Sequence, residues 1–234
     1  LTFASFNLFS LTQKLNLNRL RMHVLLTAGP TYEPLDPVRY IGNRSTGKMG
    51  YALAAAFAAA GADVTLISGP SSLPDPDSPA IRTVRVETAA QMFAAVAEVA
   101  PRAAIWVFAA AVADYRPAEM ATEKIKKSGD RLTLELVKNV DIAATLGKTK
   151  QAEQFSVGFA LETTNELAHA QDKLRRKNFD LVVLNSLRDA GAGFGHDTNK
   201  VQVLDAAGQV RNFELQAKTD LAHELVKLVL AHRS

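Results

Sequence analysis

Residues 22–70 limit the possible folds more than any other part of the chain. "MHVLLTAG" (22–29) is an apolar run too short for a helix, and it ends at a glycine. "TGKMGYALAAAFAAAGA" (46–62) is rich in alanine, the best helix former, and stops at Gly61. "DVTLISGP" (63–70) is a second short apolar run. Runs apolar along their whole length, rather than at alternate residues, belong to strands covered on both faces. Two such strands joined through a helix are parallel. The unit then repeats, with a strand at "IRTVRVE" (81–87), a helix at "AAQMFAAVAEVA" (89–100) capped by Thr88, and a fourth strand within "AAIWVFAAAVAD" (103–114). The expected architecture is α/β, a Rossmann-like, doubly wound and mostly parallel sheet.

The second half is less regular. "RLTLELVKN" (131–139) alternates and predicts an exposed strand, so residues 115–139 read as a β-ribbon excursion from the sheet. "VDIAATLGK" (140–148) predicts a short helix with Asp141 near its start. Buried strands at 155–162 and 179–186 flank an amphipathic helix at 163–178. A hairpin over 200–215 turns at Ala207-Gly208, and residues 217–233 form the closing helix. No repeat and no linker divides this stretch, so residues 22–234 read as a single domain. Residues 1–21 carry three basic side chains and no acidic one. They read as a disordered extension or as a start placed ahead of the true one at Met22, with a weak targeting peptide as the alternative.

The chain has 234 residues, 47% of them hydrophobic and 22% charged, which is ordinary soluble composition. It has no cysteine, which excludes disulfides, zinc–thiolate sites and thiol nucleophiles. No apolar run approaches the roughly 20 residues that span a bilayer, so no membrane association is expected. The net charge is +3. The basic clusters "KIKK" (124–127) and "KLRRKN" (173–178) lack interleaved aromatics, which favours small anionic ligands over nucleic acid.

"GNRSTGKMG" (42–50) has the glycine and lysine spacing of a P-loop, but Met49 stands where a magnesium-binding hydroxyl is required. The preceding strand also ends near Thr27, too early for that motif. Ser45, Thr46 and Gly47 still open a helix, where N–H groups and the dipole favour an anion, and Asn43 adds an amide that donates and accepts. Lys48 either adds charge there or is a solvated surface lysine. Asp114 ends a buried strand at the carboxyl edge of the sheet, where open α/β sheets bind ligands; a turn cap is the plainer reading. Lys173 and Lys177 share a helix face, either as solvated surface or bridged by an anion. His196 lies in a glycine-rich loop (185–200) with no second histidine at ligand spacing. A Rossmann-type oxidoreductase would need G-x-G-x-x-G after the first strand, and "TAGPTYEP" is not that. A non-catalytic nucleotide-binding module is the other alternative.

The segments "LLTAGPTYEPLDPVRYIGNRSTGKMG", "AAAVADYRP", "EKIKK", "LVKNVDI", "VGFALET", "KLRRKNFDLVVLN" and "GFGHDTNKV" occur here in one order. That series closely resembles the phosphopantothenoylcysteine synthetases, over roughly residues 22–232. The resemblance implies a ligase of coenzyme A biosynthesis. The carboxylate of 4'-phosphopantothenate attacks the α-phosphate of CTP with Mg²⁺ present, and the cysteine amine then displaces CMP to form an amide. By motif position it implies catalytic roles for Lys124 in nucleotide attack and Asn43 in turnover of the acyl-cytidylate. It implies substrate contacts from Arg39, Asn43, Ala110 and Ala111, with Arg39 reaching a neighbouring protomer. It implies a nucleotide site of Phe108, Ala109, Ala110, Asp114, Lys124, Val140, Asp141, Ile142, Ala143, Phe159, Lys173 and Lys177. Direct metal ligands stay unassigned. Gly42, Arg44 and Thr46 depart from the family's usual S-N-H-S-S-G-K-M-G loop, while Asn43 and the G-K-M-G run are kept. The resemblance further implies a cytoplasmic homodimer with the 115–139 ribbon crossing between protomers. No FMN is expected, since only 21 residues precede the match.

Overall fold

The computed structural model describes residues 22–127, 129–162, 164–186 and 195–233; the expectations for residues 1–21 and for the loop segment 187–194 lie outside them. Its centre is an eight-stranded sheet. The strands are β1 (His23–Ala28), β4 (Asp63–Ser68), β5 (Ile81–Arg85), β6 (Ile105–Phe108), β9 (Phe155–Glu162), β10 (Leu181–Ser186), β11 (Thr198–Asp205) and β12 (Val210–Ala217). Their spatial order is β12-β11-β10-β9-β6-β1-β4-β5. From β10 to β5 every neighbouring pair is parallel, and β11 and β12 add an antiparallel edge. The expected Rossmann-like, mostly parallel sheet is thus the observed one. The chain first winds from β1 out to β4 and β5, then returns to the other side of β1 for β6, β9 and β10. The reversal falls between β1 and β6, and a crevice opens at such a point beyond the carboxyl ends of the strands.

Helices cover both faces, which is why the central strands are apolar throughout. Helices α1 (Lys48–Ala59) and α5 (Lys218–Arg233) pack on one face, where Leu53 and Phe57 meet Leu26, Leu66, Leu221 and Leu225. On the other, α2 (Ala89–Val99) and α3 (Ile142–Gly147) close over Leu25, Ile67 and Trp106. Helix α4 (Glu166–Arg176) buries Ala170 and Leu174 against Ala160, Val182 and Leu184. The Thr88 cap is a full capping box: Thr88 Oγ1 accepts from the Gln91 N–H, and Gln91 Oε1 accepts from the Thr88 N–H. At Gly50 an added Cβ would lie 2.5 Å from Ala28 Cβ, so this glycine lets α1 seat directly on the end of β1.

One local expectation needs correction, and one short hairpin has no counterpart in the sequence reading. The loop after β1 contains a hairpin, β2 (Tyr32–Pro34) against β3 (Tyr40–Gly42), with Tyr32 and Tyr40 stacked at 3.8 Å. Its prolines obscured strands of only three residues each. The predicted strand 131–139 shrinks to β8 (Leu136–Lys138), paired antiparallel with β7 (Tyr115–Pro117). Residues 131–135 alternate in hydropathy, but they are exposed and no face of the domain covers them, so the alternation has no core to read it. The β2–β3 hairpin is joined to the start of α2 through Glu33, a buried carboxylate that accepts a 2.8 Å hydrogen bond from the Ala89 N–H. A negative charge at the start of α2 is favourably placed in the helix dipole.

Candidate active site

A cleft of about 400 Å³ opens at the reversal point, over the carboxyl ends of β1, β6 and β9. Phe108 to Asp114 form its floor as the chain leaves β6. This segment is fastened to the end of β1. The Ala109 N–H donates to the Thr27 carbonyl, the Ala110 N–H to Thr27 Oγ1 (3.3 Å) and the Ala111 N–H to the Gly29 carbonyl (2.8 Å), while the Ala113 N–H reaches Thr31 Oγ1 (2.9 Å). The N–H groups of Ala110 and Ala111 are therefore already engaged within the chain.

Asn43 stands beside this floor. Its Nδ2 donates to the carbonyl oxygens of Ala111 (2.9 Å) and Val112 (3.2 Å). A residue of the loop before α1 and the alanines after β6, far apart in sequence, thus meet as one polar corner. The wall opposite comes from Val140 to Ala143 and from Phe159. Asn139 sets the register of that wall: its N–H donates to the Asp114 carbonyl and its Nδ2 to the Ala113 carbonyl, both in the 2.8–2.9 Å range. Asp141 caps α3 through the Ala144 N–H (3.0 Å) and pairs with Lys177 Nζ (3.0 Å). Burial pushes the Asp141 carboxyl upward, but the Ala144 N–H and the Lys177 ammonium outweigh it and hold the carboxyl below its ordinary value. Lys173 approaches Glu162 Oε1 at 3.5 Å. Burial lowers the Lys173 ammonium from its usual value, Glu162 opposes this, and Lys177 adds to it. The two lysines expected to share one anion are thus held apart by two carboxylates, and both line the cleft.

Of the residues expected from sequence, Asn43, Phe108, Ala109, Ala110, Ala111, Asp114, Val140, Asp141, Ile142, Ala143, Phe159, Lys173 and Lys177 line this one cleft. Arg39 and Lys124 are not among its lining residues. They lie together elsewhere. Arg39 Nε (3.0 Å) and Nη2 (2.5 Å) donate to Asp36 Oδ2, and Arg39 Nη2 also donates to the Ile125 carbonyl (2.8 Å). Asp36 Oδ2 accepts from the Ile125 N–H, and the Ala121 N–H donates to the Leu35 carbonyl, so the lysine-bearing loop is moored on the turn before β3.

Sequence reasoning named none of Thr27, Asn139, Asn185, Asn199 and Lys218 as site residues, though all line the cleft, and it left Lys48 undecided between added charge and solvated surface. Lys218 had a legible signal. It precedes Leu221, Ala222, Leu225, Val226 and Val229 on the buried stripe of α5, where a lysine is out of place. Lys48 Nζ pairs with Asp197 Oδ1 at 2.6 Å and faces the cleft. Among the described residues no group of three or more histidines, cysteines or carboxylates is arranged to hold a metal ion. Among the described residues, the carboxylates lining the cleft are Asp114 and Asp141.

The family model for the DNA/pantothenate metabolism flavoprotein C-terminal domain matches residues 20–232, and the chain belongs to this family. It is 49% identical over 185 residues to the coenzyme A biosynthesis bifunctional protein CoaBC of Escherichia coli, covering 78% of this chain and 45% of that protein. It is 47% identical over 207 residues to a cysteine/cysteine sulfinic acid decarboxylase of an unknown prokaryotic organism, covering 88% of this chain and 57% of that protein. The chain spans about half the length of these relatives, whose names describe the longer proteins. Among solved structures, the C-terminal domain of a CoaBC is 39% identical, with a TM-score of 0.75 over 89% of this chain and 93% of that one. A Cab2 mutant in complex with phosphopantothenate-cysteine shares the fold at 20% identity, with a TM-score of 0.74 over 96% of this chain and 89% of that one. No helix of the described residues is long and apolar enough to cross a membrane.

Proposed function

We propose that this chain is a phosphopantothenate–cysteine ligase, which joins 4'-phosphopantothenate to L-cysteine at the expense of CTP in the cytoplasm. The observation that carries the reading is the meeting of the Asn43–Ala111 corner with the Asp141–Lys177 and Glu162–Lys173 pairs in one cleft. One side offers neutral amide and carbonyl groups suited to an acyl amide substrate. The other offers cations suited to a polyphosphate. Membership of the family, the likeness to CoaBC and the phosphopantothenate-cysteine bound by the Cab2 mutant support the same substrates.

In this reading a carboxylate oxygen of phosphopantothenate attacks the α-phosphorus of CTP, and pyrophosphate leaves. Lys173 and Lys177 hold the polyphosphate, their carboxylate partners keeping both ammonium groups aimed into the cleft. Val140 to Ala143, Phe159 and Asp114 surround the nucleoside. The cysteine amine then attacks the acyl carbon, loses a proton, and CMP departs. Asn43 acts at this second step, where a tetrahedral oxyanion must be stabilised. A magnesium ion accompanying CTP supplies further charge neutralisation; such ions are commonly held by substrate phosphates and one or two carboxylates, and Asp114 is suited to that share. Lys124 and Arg39 enter the cleft of a second copy, which makes the functional unit a homodimer.

The test is incubation with CTP and phosphopantothenate but no cysteine, followed by mass detection of the acyl-cytidylate. The expected adduct forms with the wild-type chain and is absent from Lys124→Gln. An adduct formed equally well by Lys124→Gln would contradict the assigned role, and no adduct with either would sink the reading.

A further inference from the structure

Two successive residues hold the two ends of one short helix. Lys177 Nζ pairs with Asp141 Oδ1 at the start of α3 (3.0 Å), and Asn178 Nδ2 donates to the Gly147 carbonyl at its end (2.9 Å). The last carbonyls of a helix lack partners within it, so the Asn178 amide completes α3 while belonging to the turn after α4. The approach is close. A Cβ on Gly147 would lie 2.2 Å from the Lys177 carbonyl oxygen, so the end of α3 seats on that turn because residue 147 is glycine. Asn178 has φ 53°, the left-handed conformation that ends many helices and that asparagine adopts more readily than most residues.

Behind this joint, outside the cleft, lies an ionic cluster. Lys150 Nζ donates to the Asn178 carbonyl (2.6 Å), to Asp180 Oδ2 (2.8 Å) and to Ser156 Oγ (3.1 Å). Asp180 Oδ2 also accepts from the Ser156 N–H (2.6 Å). The Lys150 side chain is 9% exposed and Ser156 2%. Burying an ion pair costs desolvation, and apolar residues of the same volume are often at least as stable. What the ions add is direction. They tie the loop after α3, the start of β9 and the approach to β10 to one backbone group, the Asn178 carbonyl. Lys150, Ser156, Asn178 and Asp180 are not among the cleft's lining residues, whereas Lys177 and Asp141 to Ala143 are.

We propose that Asn178 and Lys150 are positioning residues for nucleotide binding: they lock the turn after α4 onto α3, and so fix the Lys177 ammonium and the Asp141–Ala143 wall at one spacing in the cleft. The proposal rests on the ligase reading, in which Lys177 holds the polyphosphate of CTP. Neither Asn178 nor Lys150 touches the ligand; both act through Lys177. Four methylene groups separate the Lys177 ammonium from its backbone, so it keeps its place only if that backbone and Asp141 keep theirs.

Titration calorimetry on the full chain tests this, with magnesium and CTP as one ligand and phosphopantothenate as the other. The proteins are wild type, Asn178→Gly, Lys150→Met, Lys177→Met and the double variant of Asn178→Gly with Lys177→Met. Glycine keeps the left-handed turn and removes only the amide, so Asn178→Gly decides the matter if Lys150→Met fails to fold. Asn178→Gly and folded Lys150→Met are expected to bind CTP about tenfold more weakly, and phosphopantothenate within about twofold of wild type. In the Lys177→Met background Asn178→Gly is expected to add less than about twofold, because groups that act as one unit are not additive. CTP affinity equal to wild type in either single variant, equal loss for both ligands, or losses that multiply in the double variant would overturn the proposal. Pyrophosphate release by the same proteins tests the ligase separately. The expected pattern of CTP binding without release would support the positioning role and refute the ligase, whereas a wild type that binds no CTP would overturn both.

Discussion

Asp36 lies outside the cleft, yet it fixes the two functional candidates that the cleft lacks. Its carboxylate accepts from the Val38, Arg39 and Ile125 N–H groups and from the Arg39 guanidinium. The Arg39 guanidinium, against the opposing pull of burial and with help from those N–H groups, holds the carboxyl far below the usual carboxylate range. A depressed folded-state value means that the contribution is complete above the unfolded value of about 4 and is lost only as pH falls through the folded one. Asp36→Asn is therefore expected to be less stable than wild type at pH 7 in urea unfolding, with a gap that closes well below pH 4. A gap independent of pH would show that the carboxylate charge is not what matters. Asn43→Asp turns a donor toward two carbonyl oxygens into a carboxylate that repels them. It is expected to retain pyrophosphate release while slowing amide formation on the order of 10²-fold, read by single-turnover product analysis. The residues alone marked Asn43 as an amide near a helix start and Lys124 as part of a basic cluster; their catalytic roles came only through the resemblance, because their partners are backbone carbonyls and a buried turn that no spacing rule connects. Lys218 was the opposite case: a lysine on an apolar helical stripe was visible and passed over.

The elements of the sheet were legible because burial on both faces writes itself into continuous apolar runs, and β1, β4, β6, β9 and β10 all carry that mark. The β2–β3 hairpin was not, since strands of three residues leave too little pattern; the 115–139 ribbon was legible as an excursion, but not that its paired part is only three residues a side. Helix α1 was legible from its alanines, but its contact with β1 depends on Gly50. Gly50→Ala would bring a Cβ within 2.5 Å of the Ala28 Cβ, and neither helix nor central strand can yield easily. Destabilisation of about 1–3 kcal/mol is expected in urea or thermal unfolding, with the cleft distorted as α1 moves off the strand. A neutral or stabilising effect, as alanine's better helix propensity alone would give, would show that the contact is looser than described.

At the scale of the whole molecule, the proposed homodimer has a surface suited to it. Val38 and Tyr40 on the hairpin and Tyr115, Leu132, Leu134 and Leu136 on the ribbon are large, apolar and exposed, a concentration typical of an interaction surface. The same region carries Arg39 and Lys124. If Lys124 serves the cleft of a second copy, co-refolding equal amounts of inactive Lys124→Gln and Asn43→Asp chains generates mixed dimers with one intact site, and about a quarter of wild-type amide formation returns. No recovery in confirmed mixed dimers would place both residues in one chain's site. The central claim, that the cleft activates phosphopantothenate with CTP, is tested most directly by pyrophosphate release with each substrate omitted in turn. The expected result is release that requires both CTP and phosphopantothenate and persists without cysteine. Release that proceeds without phosphopantothenate, or none with CTP where ATP supports it, would contradict the account.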